Sequence, residues 1–466
     1  MKNKPTSLLP FALLIAFHGS LMAQNDAAAR EWLTTLDRSA LLAEQKDTLA
    51  FSSPAKAFPA IEVNDMQQYQ SMDGFGFALT GGSAQLLMHM ESGPRAELLH
   101  LLFAPDNTGV SYLRVTIGAS DMNERVYSYD DLSKGETDAD LAKFTLGPDR
   151  ADVIPVLKEI LAINPTIKIL GSPWSAPPWM KTNDRVKDGH LRREFYGAYA
   201  AYFVKYIEQM KAEGIPIAAV TVQNEPLNPK NTPSMVMFAE EEDTFIGRYL
   251  GPAFQNAGIT TRILLYDHNP DVLSYALSIL ADPAASKYVD GTAYHLYGGT
   301  ASAMTDVHTA YPNKNLYMTE QSISSSPNEP LPIAAALTDV LIAATRNWSR
   351  NVLLWNLAAD PDNGPHTNDG GCTGCTGAIT LKGNQVTRNV AYYGVAHFSQ
   401  FAPPGSVRIG STELEQLASV AFLTPAGKIV LVASNTANFP KTFNVKYHGQ
   451  WFTTTLPAES AATYVW

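Results

Sequence analysis

The sequence predicts an α/β fold, a (β/α)8 barrel, joined to an all-β sandwich built from the N-terminal segment and the C-terminal region. Three observations carry this. From Gly74 onward, eight strand-like runs alternate with helix-like runs, and most are continuously apolar, as strands covered on both faces are. From about Val407 the helical period disappears, and short β-rich runs alternate with turn residues such as Pro425-Ala426-Gly427. Residues 48–72 also read as short strands, placed to complete the sandwich from the other end of the chain.

The strands in order are "GFGFALT" (74–80), "VSYLRVTIG" (110–118), "IKILGSPW" (167–174) and "IAAVTVQNE" (217–225), then "RILLYDHN" (262–269), "GTAYHLYGG" (291–299), "NLYMTEQS" (315–322) and "NVLLWNLAA" (351–359). The clearest helix runs from Glu194 to Lys211. Its Phe195, Tyr199, Tyr202, Phe203, Tyr206, Ile207 and Met210 share one stripe, and Gly214 stops it. An acidic first turn opens "AEEEDTFIGRYLGPAFQNAG", and "PIAAALTDVLIAATRN" is similar. An open doubly wound sheet is the competing architecture, but no strand feeds a helix through GxGxxG.

The first 23 residues read as an export signal. Lys2 and Lys4 precede an apolar stretch from Leu8 to Phe17, and Leu21-Met22-Ala23 ends in a small residue. That stretch is too short to span a bilayer of about 30 Å. The division expected is 1–23 signal, 24–72 N-terminal sandwich segment, 73–400 barrel and 401–466 C-terminal sandwich. The protein is therefore expected to be exported, to the periplasm, the cell surface or the medium, with no integral membrane span. A formal net charge of −11 repels polyanions and argues against a nucleic-acid partner. The only cysteines, Cys372 and Cys375, lie in the Gly-rich "GGCTGCTG" and are expected to pair in an exported protein. A redox CxxC would open a helix, and a zinc site would need a second ligand pair.

In a barrel the functional groups gather at the strand C-terminal ends. Strand two carries Arg114, strand three ends at Trp174, and strand four ends in Asn224-Glu225. Strand five contributes Asp267 and His268, strand six His295 and Tyr297, strand seven Glu320, and strand eight Trp355-Asn356. Both glutamates follow long apolar runs, where a casual carboxylate would cost several kcal/mol. Strands four and seven lie near-opposite on the ring, so the two side chains can converge over its axis. Paired carboxylates among aromatics suit glycoside hydrolysis. One holds a proton for the leaving oxygen; the other, about 5–5.5 Å away in retaining enzymes, attacks the sugar. With strands one, two and seven taken as ring neighbours, Arg114 falls near Glu320 and would keep it ionised, with Tyr297 bonded to the same group. That makes Glu320 the nucleophile and Glu225 the acid/base, with Asn224 on the sugar 2-hydroxyl and Pro226 fixing the turn. Glycosyl transfer of this kind implies no metal and no organic cofactor.

The blocks "GFGFALTGG", "SPWSAPPWMKTN", "VTVQNEP", "DGTAYHLY", "YMTEQS", "LLWNLAADPDNGP" and "HFSQFAPPGSVRIG" resemble, in order and spacing, the glucosylceramidase family, glycoside hydrolase family thirty. The resemblance runs from about Gly74 to the chain end. It implies a retaining barrel enzyme with the acid/base at Glu225, the nucleophile at Glu320, and sugar contacts at Trp174, Asn224, His295, Tyr297 and Trp355. One departure stands out. Where glucosylceramidases follow the Thr of the first block with a sugar-holding Asp, Thr80 is followed here by Gly81. A void beside O6 would let a chain continue, so the expected substrate is β-1,6-linked glucan. The alternatives are glucosylceramide or another β-glucoside cut one glucose at a time, and, from another class, non-catalytic glycan binding. The "HTNDGGCTGC" loop after strand eight would either shape a subsite wall or simply be braced.

Overall fold

The computed structural model describes Met1 and residues 28–52, 55–324 and 329–466. The export segment lies outside the described residues. Eight parallel strands close a barrel: β1 (Gly74–Leu79), β2 (Tyr112–Thr116), β3 (Lys168–Ser172), β4 (Ala219–Thr221), β5 (Arg262–His268), β6 (Val289–His295), β7 (Asn315–Glu320) and β8 (Ser349–Leu354). Each matches one apolar run, with β4 the most trimmed. The aromatic-striped helix runs Tyr196–Ala212, and Gly214 behind it takes φ +83°, a left-handed stop.

The sandwich forms as expected from both chain ends. Ala28–Thr34 and Ala60–Ser71 join the C-terminal strands in one hydrogen-bonded set. The long strand Ala60–Ser71 pairs antiparallel with Val407–Ser411 and parallel with Lys441–Tyr447, lacing the two chain ends together. Its core is separate from the barrel's and centres on Leu431, Phe443, Phe452 and Tyr464.

The barrel interior is layered, and the layers place the site. Tyr112, Leu170, Ala219, Leu264, Ala293, Tyr317 and Leu353, one from each strand β2 to β8, form an apolar plug. Side chains two residues further along a strand point to the same face. Those residues are Arg114, Ser172, Thr221, His295, Thr319 and Trp355. A polar layer therefore sits directly on the apolar one, at the C-terminal mouth. Strand β5 breaks the count. Tyr266 and Asp267 both take positive φ, +75° and +61°, and the β5–β6 register slips there. The slip carries Asp267 into the polar layer.

Candidate active site

Arg114 has no exposed surface and organises the mouth. Its guanidinium donates to Asp267 Oδ2 at 2.7 Å, Asn224 Oδ1 at 2.8 Å, Ser172 Oγ at 3.1 Å and Glu320 Oε2. It also lies 4.8 Å from the Trp174 ring centre. Asp267 accepts further from Thr221 and Thr319 at 2.7 and 2.6 Å, so every lone pair of this buried carboxylate is used. His295, equally buried, spans the gap. Its Nε2 faces Asp267 Oδ1 at 3.2 Å, and its Nδ1 lies 3.2 Å from Glu225 Oε1 and 3.8 Å from Glu320 Oε1. The Tyr297 hydroxyl donates to Glu320 Oε1 at 3.0 Å.

Glu225 adopts φ +45°, unusual outside glycine, and its backbone N–H is tied to Asp267 O at 3.0 Å. Pro226 follows in a tight turn closed by Asn228 N–H onto Glu225 O at 2.8 Å. The turn brings the Asn228 and Asn231 amides onto Glu225 Oε2, at 2.7 and 3.2 Å. Carboxylate oxygens of Glu225 and Glu320 approach within 4.8 Å of each other and of His295. They open into a cavity of about 400 Å³ also lined by Asp121, Trp174, Asn231, Tyr297, Ser322 and Trp355. Larger concavities of about 650 and 680 Å³ lie elsewhere, without converging carboxylates.

Burial works against charge here, and partners decide the outcome. For His295, burial alone would favour the neutral ring, but Glu320, Asp267 and Glu225 raise it to about 9. Burial would push Glu225 up, yet the hydrogen bond and charge of His295 bring it down to about 2. For Glu320 burial wins over His295 and Arg114, and its carboxyl lies above the ordinary value. The expected lowering by Arg114 exists but is outweighed by burial. Asp121, buried and facing the charges of Glu320 and Glu225, rises to about 8 and is largely neutral at pH 7. The spacing of Glu225, His295 and Glu320 would suit a metal ion.

The residues anticipated at the mouth gather there, with four corrections. Arg114 and His295 do not line the cavity; they lie fully buried and hydrogen-bonded to the carboxylates that do. The Asn224 amide oxygen accepts from Arg114, while Trp174, Tyr297 and Trp355 form part of the cavity wall. Arg114 does not reach Glu320 by ring adjacency. The order β7–β8–β1–β2 separates the strands, and the long side chain crosses the barrel interior instead. Gly81 does not open onto this cavity; it borders a separate one of about 210 Å³. A Cβ there would sit 1.9 Å from the Asn123 amide, which occupies the space directly over its α-carbon. The carboxyl that lines the cavity is Asp121, in the loop after β2, which sequence reasoning passed over although it follows the strand "VSYLRVTIG".

Comparison with known proteins agrees with this geometry. Residues 72–402 match the glycosyl hydrolase family 30 TIM-barrel domain, and residues 405–464 its β-sandwich domain. The chain is 34% identical to the endo-1,6-β-D-glucanase BGN16.3 of Trichoderma harzianum, covering 85% of this chain and 84% of the relative. It is 28% identical to the lysosomal acid glucosylceramidase of Mus musculus, over 86% and 82% of the two chains. Among solved structures, the endo-β1,6-glucanase BT3312 is 36% identical and superposes with a TM-score of 0.86, covering 94% of this chain and 99% of its own. Family, fold and the paired carboxylates concur: the chain belongs to glycosyl hydrolase family 30, a family of retaining glycosidases.

Proposed function

We propose that this chain hydrolyses β-1,6-linked glucan within the chain, by double displacement. The observation that carries the chemistry is the approach of Glu225 and Glu320 oxygens to within 4.8 Å over an aromatic cleft. Retention requires carboxyls close enough for one to attack the anomeric carbon while the other serves the leaving oxygen. Glu320, gripped by Arg114 and Tyr297, is the nucleophile. Glu225, on its strained turn, is the acid/base.

The proton inventory gives His295 a part. With His295 raised and Glu225 lowered, the shared proton rests on His295 and Glu225 is ionised. Transfer along the Nδ1···Oε1 hydrogen bond loads Glu225 and leaves a neutral imidazole held by Asp267. Glu320 then attacks the anomeric carbon while Glu225 protonates the departing oxygen. In the second half, Glu225 takes a proton from water, the hydroxyl attacks the same carbon, and Glu320 leaves as a carboxylate. Glu225 finally returns its proton to His295. Arg114 balances the charge returning to Glu320, in a site where water does not screen it.

The substrate assignment is supported by the endo-1,6-glucanase relatives at 34–36% identity. A second reading, release of single glucose units from glucosylceramide or another β-glucoside, is favoured by the more distant mouse relative. Export fits the lysine-led apolar N-terminus and the disulfide. Product analysis on β-1,6-glucan separates the readings. A ladder of oligosaccharides is expected; glucose alone from the first minutes would overturn internal cleavage.

A further inference from the structure

Cys372 and Cys375 form a disulfide, and both line the cavity that holds Glu225 and Glu320. Cys375 is buried in a small apolar cluster with Ala78, Met122 and the two cleft tryptophans, Trp174 and Trp355, and Cys372 packs on its edge. The base of the loop is fixed independently. Thr367 N–H donates to Asp121 O at 2.8 Å, its hydroxyl donates to Thr232 O at 2.9 Å, and Ala378 N–H donates to Asn356 O at 2.8 Å. Gly370 and Gly371 press so closely that a Cβ would fall 2.5 Å from Lys230 O and 2.3 Å from Thr367 O. The tip has less. Among the described residues, two side chains reach it, Asn363 to Thr373 O at 3.1 Å and Ser324 to Gly374 O at 3.2 Å. The sulfur bridge is the strongest constraint on the tip, and it sits against the rings a sugar would pack on.

We propose that the Cys372–Cys375 disulfide is a specificity-determining wall of the substrate cleft, fixing the loop tip against Trp355 so that a glucan chain is held along it. The inference rests on the glucan reading above. A chain occupies several subsites and depends on walls beyond the reacting sugar, whereas a small aryl β-glucoside depends mainly on the groups around Glu225 and Glu320. Sulfur and methylene groups offer the apolar face that sugar C–H edges prefer, with no side-chain charge to desolvate.

The test compares oxidised wild type, wild type treated with a water-soluble phosphine, and the Cys372→Ser/Cys375→Ser double variant. The phosphine gives two electrons to the S–S bond and becomes its oxide with oxygen from water, while each sulfur takes up a proton. The two modified forms guard against a folding defect in either, and the melting temperature is followed in all three. We expect KM on β-1,6-glucan to rise about tenfold, the scale of one lost apolar contact in a pocket, and to rise far less on an aryl β-glucoside. Equal losses on both substrates, or no change on either, overturn the inference and leave the bridge a brace. Oxidised wild type inactive on the glucan overturns the substrate reading itself, and this inference with it.

Discussion

Among the described residues, His295 and His397 are both fully buried, and they behave in opposite ways. His295, at the barrel mouth, faces three carboxylates and is raised to about 9. His397 lies at the seam of barrel and sandwich, where Thr463 and Thr34 hydroxyls meet its two nitrogens at 2.8 Å each, and burial lowers it to about 3. Equal burial gives a cation in one place and a neutral joint in the other. Hydroxyls can satisfy a ring without supplying charge; carboxylates cannot. What marks the mouth as a site is therefore the surplus of charge on burial, together with the left-handed backbone at Glu225 and Asp267.

Breaking the mouth should abolish activity while sparing the seam. Glu320→Gln is expected to lower kcat on the order of 10⁴-fold or more, with little change in melting temperature, because nucleophile losses are rarely compensated. Glu225→Gln should lower it by roughly 10² to 10⁴-fold, with less effect on the first step for substrates whose leaving group needs no proton. Arg114→Met would strip the cation from Asp267 and Glu320. Here both stability and rate should fall, the former by about 3–5 kcal/mol as a buried pair loses one partner. Thermal melts alongside initial rates check this.

The histidines also separate by pH. His295 is charged below about 9 in the folded free enzyme, so kcat/KM should fall on the alkaline side near that value, and the limb should move in His295→Gln. The acid limb should lie above the ordinary glutamate value, because burial raises Glu320. His397 affects stability instead. Its folded value of about 3 lies below the unfolded one of 6.5, so the unfolded chain binds more protons in between. Its stabilising contribution is complete above pH 6.5 and is lost as pH falls towards 3, by at most about 1.4 kcal/mol per unit. Denaturant melts of wild type and His397→Gln between those limits should converge as pH falls.

The barrel was legible because most strands are continuous apolar runs with polar or aromatic residues near their C-terminal ends, and an arginine inside "YLRVT" has no reason to be there unless it is paired. The sandwich was legible from its period. Other features depend on distances that a sequence does not carry. Gly81 reads as space beside the reacting sugar, yet the Asn123 amide sits over its α-carbon and the cavity it borders is a separate one. Asp121 sits in an irregular loop with no periodicity to aim it. The slip in β5, which turns Asp267 inward, depends on a left-handed pair that "LLYDHN" does not announce. The balance at Glu320 needs both its burial and the sharing of Arg114, and neither is written locally.

The central claim is that Glu320 attacks the sugar while Glu225 manages the proton. A 2-deoxy-2-fluoro-β-glucosyl fluoride should stall the enzyme after the first displacement, and mass spectrometry of the digested protein then locates the sugar. The account predicts one glucosyl adduct on the peptide carrying Glu320. An adduct on Glu225, or turnover without any adduct and with inverted product, would contradict it.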